Sequence, residues 1–148
     1  MSLWDWTLKV YARAGVPEAT LALQDVHGQS IALLLWAVWA EGPDAQVLAR
    51  AVAATKAWDA GVLVPLRGVR RALKPEHPPV DDSAREGLRE DVKAAELRAE
   101  RVLMETLEQL AGGSSRGQGA LASMRAASAA WGAPAPDEAL ARLAHALS

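Results

Sequence analysis

The stretch LALQDVHGQSIALLLWAVWA, residues 21–40, contains the most apolar segment of the sequence. Its second half, Ile31–Ala40, is an uncharged apolar run of ten residues. A helix that crosses a membrane needs about 20 such residues, so we expect no membrane span. The run instead predicts a helix that is buried on nearly all sides.

Start and stop signals for helices surround this run. Ser2 with Asp5 forms a capping box, Gly15 is a natural helix C-cap, and Ser30 can cap the apolar helix. Two helical interpretations are open near Pro65: a new helix that starts near Val62, or one helix that kinks at the proline. The periodicity predicts helices over residues 3–14, 17–27, 30–41, 44–58, 66–73, 82–111, 120–131 and 137–147.

No segment shows the alternation typical of a strand. The fold class is therefore all-α, a single-domain irregular helical bundle of about seven or eight helices with no β-sheet. Residues 1–111 are expected to form the bundle, and residues 112–148 a flexible Gly/Ser loop and two short helices docked on the same domain. The long helix should bury one stripe: Leu88, Val92, Ala95, Ala99, Val102, Leu103, Leu107 and Leu110.

Composition excludes several classes of site. The 148 residues include no cysteine, which excludes disulfides, thiolate zinc sites and a cysteine nucleophile. The net charge of -2 gives no overall attraction to nucleic acid. Arg outnumbers Lys 12 to 4 while Phe and Asn are absent, a bias typical of a GC-rich bacterial genome. No signal peptide pattern begins the sequence, so a cytoplasmic location is expected.

Several blocks of the sequence resemble those of one protein family. They are LWDW at 3–6, YARAGV at 11–16, LALQD at 21–25, LLLW at 33–36, VPLR at 64–67 and KAAELRAER at 93–101. Over residues 3–110 the chain resembles a proteobacterial family of small helical proteins catalogued as domain of unknown function 2390. The family pattern usually has proline at Ala14 and cysteine at Thr20, so this chain lacks that thiol. The resemblance implies no activity and no catalytic residues.

Two polar residues, Gln24 and Asp25, lie on the second helix close to predicted apolar neighbours. A buried carboxylate costs several kcal/mol unless it is paired or hydrogen-bonded. One interpretation makes the pair an anchor for a ligand or partner. The other, which we favour, gives Asp25 an internal bond to a tryptophan indole N–H or an arginine.

A basic segment, residues 62–74, carries Arg67, Arg70, Arg71 and Lys74 and no acidic residue. This spacing places the four charges in one cluster on a helix and could hold a phosphate or carboxylate. The following residues, 76–111, contain ten acidic against five basic residues. We therefore favour ion pairing between these two segments over binding of nucleic acid.

Six tryptophans supply most of the aromatic content, and their first interpretation is core packing. Trp4 and Trp36 are the candidates for the wall of a ligand pocket. The three histidines are far apart, and Glu96 and Glu100 lack the companion histidines of a di-iron bundle, so no metal site and no cofactor are expected. No sequence motif for a catalytic nucleophile or a P-loop is present, and no catalytic residue is assigned.

Three functions follow, in order of preference. The first is a non-enzymatic cytoplasmic bacterial protein that binds another protein, with a homodimer through the long helix 82–111 as a further expectation. The alternative is a helical protein that binds a small or lipid-like ligand and could be catalytic, with a tryptophan-lined pocket and a polar wall. The third is nucleic-acid binding through residues 62–74. The candidate binding residues are Trp4, Gln24, Asp25, Trp36, Arg67, Arg70 and Arg71.

Overall fold

Four of the helices begin at a capping side chain, as seen in a computed structural model that describes residues 1–113 and 115–148. Ser2, Ser30, Asp44 and Asp81 each accept a hydrogen bond from the amide N–H three residues later, at 2.8–3.3 Å. In the described residues every regular element is a helix, which confirms the all-α class. The eight α-helices are α1 (Leu3–Tyr11), α2 (Val16–Asp25), α3 (Ile31–Trp39), α4 (Ala45–Trp58), α5 (Val64–Ala72), α6 (Asp82–Ala111), α7 (Ala120–Trp131) and α8 (Asp137–Leu147).

The first helix ends earlier than predicted, at Tyr11 and not at Ala14. Gly15 was expected to cap its C-terminus, and this was wrong, because Gly15 directly precedes α2. Its φ of +86° is favourable for glycine alone, so the residue reverses the chain between α1 and α2. This turn is hydrogen-bonded to the end of α8, because the Arg13 guanidinium donates to the Leu147 carbonyl oxygen at 2.6 Å.

The junction at Pro65 combines both predicted alternatives. A π-helical turn, Asp59–Leu63, joins α4 to α5 without a break, and Pro65 lies in the first turn of α5. The Val64 N–H donates to the Asp59 carbonyl oxygen, five residues back. Pro65 has no backbone N–H, so one hydrogen bond of the α-helical pattern is missing at this position. The π-helical turn directly precedes it.

The core is built around α3, the apolar helix of the opening stretch. Six of its nine residues are buried, with Trp36 fully inaccessible. Helix α7 packs most extensively against α3, and α1, α4 and α6 contact its other sides. Met124 of α7 and Leu143 of α8 belong to the same hydrophobic core, so the last two helices pack on the bundle. No helix within residues 1–113 and 115–148 is both long enough and apolar enough to cross a membrane.

The described part of the loop between α6 and α7 is hydrogen-bonded to the bundle. The amide N–H groups of Arg116 and Gln118 donate to the Glu41 carbonyl oxygen, at 3.3 and 2.9 Å. Gly42 has a φ of +76° and lies against the Gln118 side chain. The expectation of flexibility also covers Ser114, which lies outside the described residues.

The predicted stripe of α6 is buried only in part. Ala99, Leu103 and Leu107 are buried, whereas Leu88 is 52% exposed and Val102 38% exposed. The prediction was wrong for Leu88, Ala95 and Val102, which are exposed.

A buried arginine takes the place of apolar packing at the start of α6. Arg85 is 6% exposed and donates to the carbonyl oxygens of Leu73 and Lys74, at 2.6 and 3.1 Å. These carbonyls follow the last residues of α5, so Arg85 provides the hydrogen bonds that the end of that helix lacks.

Candidate functional site

A cavity of about 490 Å³ lies between α1 and α6. The turn between α2 and α3, the end of α4 and the π-helical turn close it on the other sides. Its volume is within the range of small-molecule pockets, about 300–1,000 Å³. Most of its wall is apolar, with the aromatic rings of Trp4, Tyr11 and Trp131 among the lining groups.

Partly exposed apolar side chains mark where the cavity meets solvent. Leu8 is 53%, Tyr11 38% and Leu97 54% exposed, and all three belong to the lining. Leu8 and Tyr11 are three residues apart on α1, so they share one face of that helix. An apolar ligand could therefore keep contact with protein from the opening to the interior.

Two threonine hydroxyls in the lining have no hydrogen-bond partner among the described residues. Thr7 is 4% and Thr55 1% exposed, and the Oγ1 atom of each is buried and unpaired. The other two threonines of the chain behave differently. Thr20 Oγ1 donates to the carbonyl oxygen of Val16 at 2.9 Å, and Thr106 makes the same bond to its own helix. The unpaired hydroxyls are thus confined to the cavity.

Charged side chains from α5 and α6 form the polar side of the cavity. Arg70 donates to Glu96 at 2.6 Å through Nε, and Arg67 Nε lies 3.8 Å from the same carboxylate. Arg67 also belongs to the cavity lining, as does Glu100, one helical turn beyond Glu96. The predicted pairing of the basic segment with the acidic helix is therefore confirmed for Arg67 and Arg70.

Glu100 is a partly buried carboxyl group of the cavity wall. Burial raises its pKa above the usual glutamate value, and the neighbouring Glu96 carboxylate raises it further. Arg67 and Arg70 lower the pKa but do not cancel these effects. Burial also raises the pKa of Tyr11. The Glu100 charge raises it further, and the Thr20 side chain lowers it.

A second carboxylate, Asp59, lines the cavity from the π-helical turn. Turns of this kind inside α-helices occur frequently at functional sites. No salt bridge involves Asp59 or Glu100 within residues 1–113 and 115–148. The wall thus has two carboxylates without a bonded cation.

The turn between α2 and α3 is held rigidly at the cavity edge by Gln29. This side chain is 4% exposed; its Nε2 donates to the Ala133 carbonyl oxygen at 2.7 Å and its Oε1 accepts from Ser128 at 2.8 Å. The Trp131 indole N–H donates to the Gly28 carbonyl oxygen at 2.9 Å. These bonds fix Trp131 as part of the cavity wall.

The predicted role of Asp25 as a buried group was wrong, because the side chain is exposed. The buried residues of α2 are Val16, Thr20 and Leu23, and Asp25 lies about 180° around the helix from Val16. The expected indole bond is made elsewhere, since Trp58 and Trp131 donate to backbone carbonyls. Gln24 is exposed but contributes to the cavity lining.

Of the other predicted site residues, some line the cavity and others do not. Trp4 and Arg67 line the cavity. Trp36 is a core residue whose indole N–H has no partner in the part of the chain that the structure describes. Arg70 lies outside the lining, where it pairs with Glu96, and Arg71 is exposed outside the lining.

Sequence reasoning missed four polar lining residues, Thr7, Thr55, Asp59 and Glu100. Thr55 follows Leu48 and Ala51 at helical spacing, so a hydroxyl interrupts an apolar stripe. This hydroxyl in an apolar stripe could have indicated Thr55 as a candidate site residue. Glu100 was considered for metal binding alone; no cluster of three or more potential metal ligands occurs in the described residues.

Comparison with known proteins gives one result. No curated protein and no solved structure matches the chain. A family model described as "Protein of unknown function (DUF2390)" matches residues 2–107, which include every lining element of the cavity except α7. The chain therefore belongs to this family.

Proposed function

We propose that the protein binds a small molecule with a largely apolar body and a polar group in the cavity between α1 and α6. The observation that carries this proposal is the pair of buried, unpaired hydroxyls of Thr7 and Thr55 in the cavity wall. An unpaired buried hydroxyl costs about 1–3 kcal/mol. A ligand that supplies the missing hydrogen bonds would remove this cost while its apolar body contacts the remaining wall.

The test uses Nile red, a neutral dye that fluoresces strongly in apolar surroundings. We expect the wild-type protein to bind it with a fluorescence increase. Ala32 lines the cavity from α3, so Ala32→Phe should fill part of the space and weaken binding at least about tenfold. Ala95→Phe introduces the same ring at an exposed position of α6 outside the cavity and should retain binding.

Far-ultraviolet circular dichroism and urea unfolding show whether both variants are folded. No dye binding by the wild type would overturn the proposal. Equal binding by the two phenylalanine variants would do so as well, because the dye would then occupy another surface.

The predicted protein-binding role stays a second proposal. Exposed apolar side chains favour it. They are Leu8 and Leu97 at the cavity opening, Leu21 of α2 at 59% exposure, and Val26, directly after α2, at 73%. Its test is analytical ultracentrifugation of wild type and Leu97→Glu. A dimer that Leu97→Glu dissociates would support the predicted self-association through residues 82–111, and a monomer in both would exclude it.

A further inference from the structure

Of the charged side chains that line the cavity, Asp59 and Glu100 are carboxylates and Arg67 is a guanidinium. Arg70 and a third carboxylate, Glu96, pair beside the lining. The two guanidinium groups are engaged with one of these, Glu96, at 3.8 and 2.6 Å. The remaining carboxylates, Asp59 and Glu100, are the two that line the cavity itself.

The hydrogen-bond requirements of the wall also suit one kind of ligand group. An alkylammonium has three N–H donors and no acceptor. The cavity offers the Glu100 carboxylate and the hydroxyl oxygens of Thr7 and Thr55, each of which can accept. The two hydroxyls are more than nine-tenths buried, so water competes poorly for them.

The aromatic side chains of the wall can also attract a cation. Organic cations are attracted to aromatic rings within about 6 Å of the ring centre. Two rings of the lining already hold a cation of the protein, since Lys56 Nζ lies 5.0 Å from the Trp131 ring and Arg101 Cζ lies 5.8 Å from that of Trp4. Tyr11, at the opening, is the lining ring over which the described residues place no cation.

We propose that the ligand is an amphipathic amine, whose protonated nitrogen is bound by Glu100 with added attraction from Asp59, and whose apolar body occupies the rest of the cavity. This inference rests on the proposed ligand-binding function and specifies the ligand class. An amphipathic carboxylate would have Arg67 as its partner, but it would approach two lining carboxylates of the same sign, Asp59 and Glu100.

The experiment measures displacement of Nile red from the full chain at neutral pH by three probes with the same ten-carbon tail. They are decylamine, decanol and decanoate, which are cationic, neutral and anionic. We expect decylamine to displace the dye at a concentration at least about tenfold lower than decanol, as a charge-assisted hydrogen bond implies, with decanoate weakest.

Glu100→Gln should bring the decylamine and decanol affinities together, and Asp59→Asn should narrow the difference. Glu90→Gln is the matched control, because Glu90 is an exposed residue of α6 paired with Lys93 and lies outside the lining. It should leave the difference at its wild-type value. Displacement by decanol in each variant shows that the cavity is still formed.

The outcomes separate the two proposals. Dye that binds in the cavity and is displaced equally by decylamine and decanol, or best by decanoate, would overturn the amine proposal and leave ligand binding intact. A tenfold preference that persists in Glu100→Gln would also overturn it. Failure of the dye to bind the wild type would instead remove the proposed function.

Discussion

Thr55→Val should stabilise the protein, although most substitutions at fully buried positions destabilise. The Thr55 hydroxyl is buried and unpaired, so its removal recovers about 1–2 kcal/mol of desolvation cost and places a methyl group against the same apolar neighbours. Both side chains are branched at Cβ, so the helical preference of the backbone changes little.

Thr20→Val provides the matched control within the same protein. Thr20 is also buried, at 4% exposure, but its hydroxyl donates to the carbonyl oxygens of Val16 and Pro17 at 2.9 and 3.0 Å. Losing these bonds should cost about 0.5–1 kcal/mol. The two variants should therefore differ by about 2 kcal/mol, or about 4–8 °C in Tm for a chain of this length.

The assay is urea unfolding at neutral pH followed by tryptophan fluorescence, with thermal unfolding as a second measurement. Equal slopes of the unfolding free energy against urea concentration in the two variants would show that their unfolded states are comparable. If Thr55→Val destabilised the protein as much as Thr20→Val, the Thr55 hydroxyl would have a partner and the reasoning about the cavity wall would be refuted.

Three further substitutions test other parts of the structure. Gly42→Ala should destabilise the protein by about 1–3 kcal/mol, because it adds a Cβ at a positive φ against the Gln118 side chain. Gly68→Ala should stabilise it by up to about 1 kcal/mol, because open space surrounds that position. Equal changes in Tm for the two variants would contradict this. Ser128→Ala should cost about 1–3 kcal/mol in urea unfolding because it removes the partner of the buried Gln29 Oε1 and of the Ala135 N–H. Ser83→Ala, at an exposed position, should cost little, and equal losses would argue against the network. Glu100→Gln should raise the free energy of unfolding at neutral pH because burial raises the folded pKa of Glu100. The folded wild type takes up that proton first as pH falls, so the advantage of the variant should shrink by about pH 3.5, and an advantage constant with pH would exclude this cause.

The helices could be predicted from sequence because their signals are local. Ser2, Ser30, Asp44 and Asp81 cap helices through hydrogen bonds that span three residues, and the all-α class follows from periodicity alone. The turn at Gly15 was predicted at the wrong helix end, because α8 packs beside it and no local pattern contains that contact.

The site could be predicted less well, because burial depends on which helices pack together. Asp25 was expected close to apolar neighbours, but α2 buries Val16, Thr20 and Leu23, and its exposed face includes Leu21, at 59% exposure. The ion pair of Arg67 with Glu96 could be predicted, because a basic segment is followed by an acidic helix in the sequence. Thr55 and Glu100 line the same cavity only because α4 and α6 pack together, so neither residue alone indicated a site.

The most direct test of the ligand-binding account is native mass spectrometry of the protein purified gently, at low ionic strength, from the organism that encodes it. The account predicts the chain mass plus a small-molecule adduct, which should be absent from Ala32→Phe and present in Ala95→Phe. An adduct retained by Ala32→Phe, or a bare chain mass in the wild type, would contradict it.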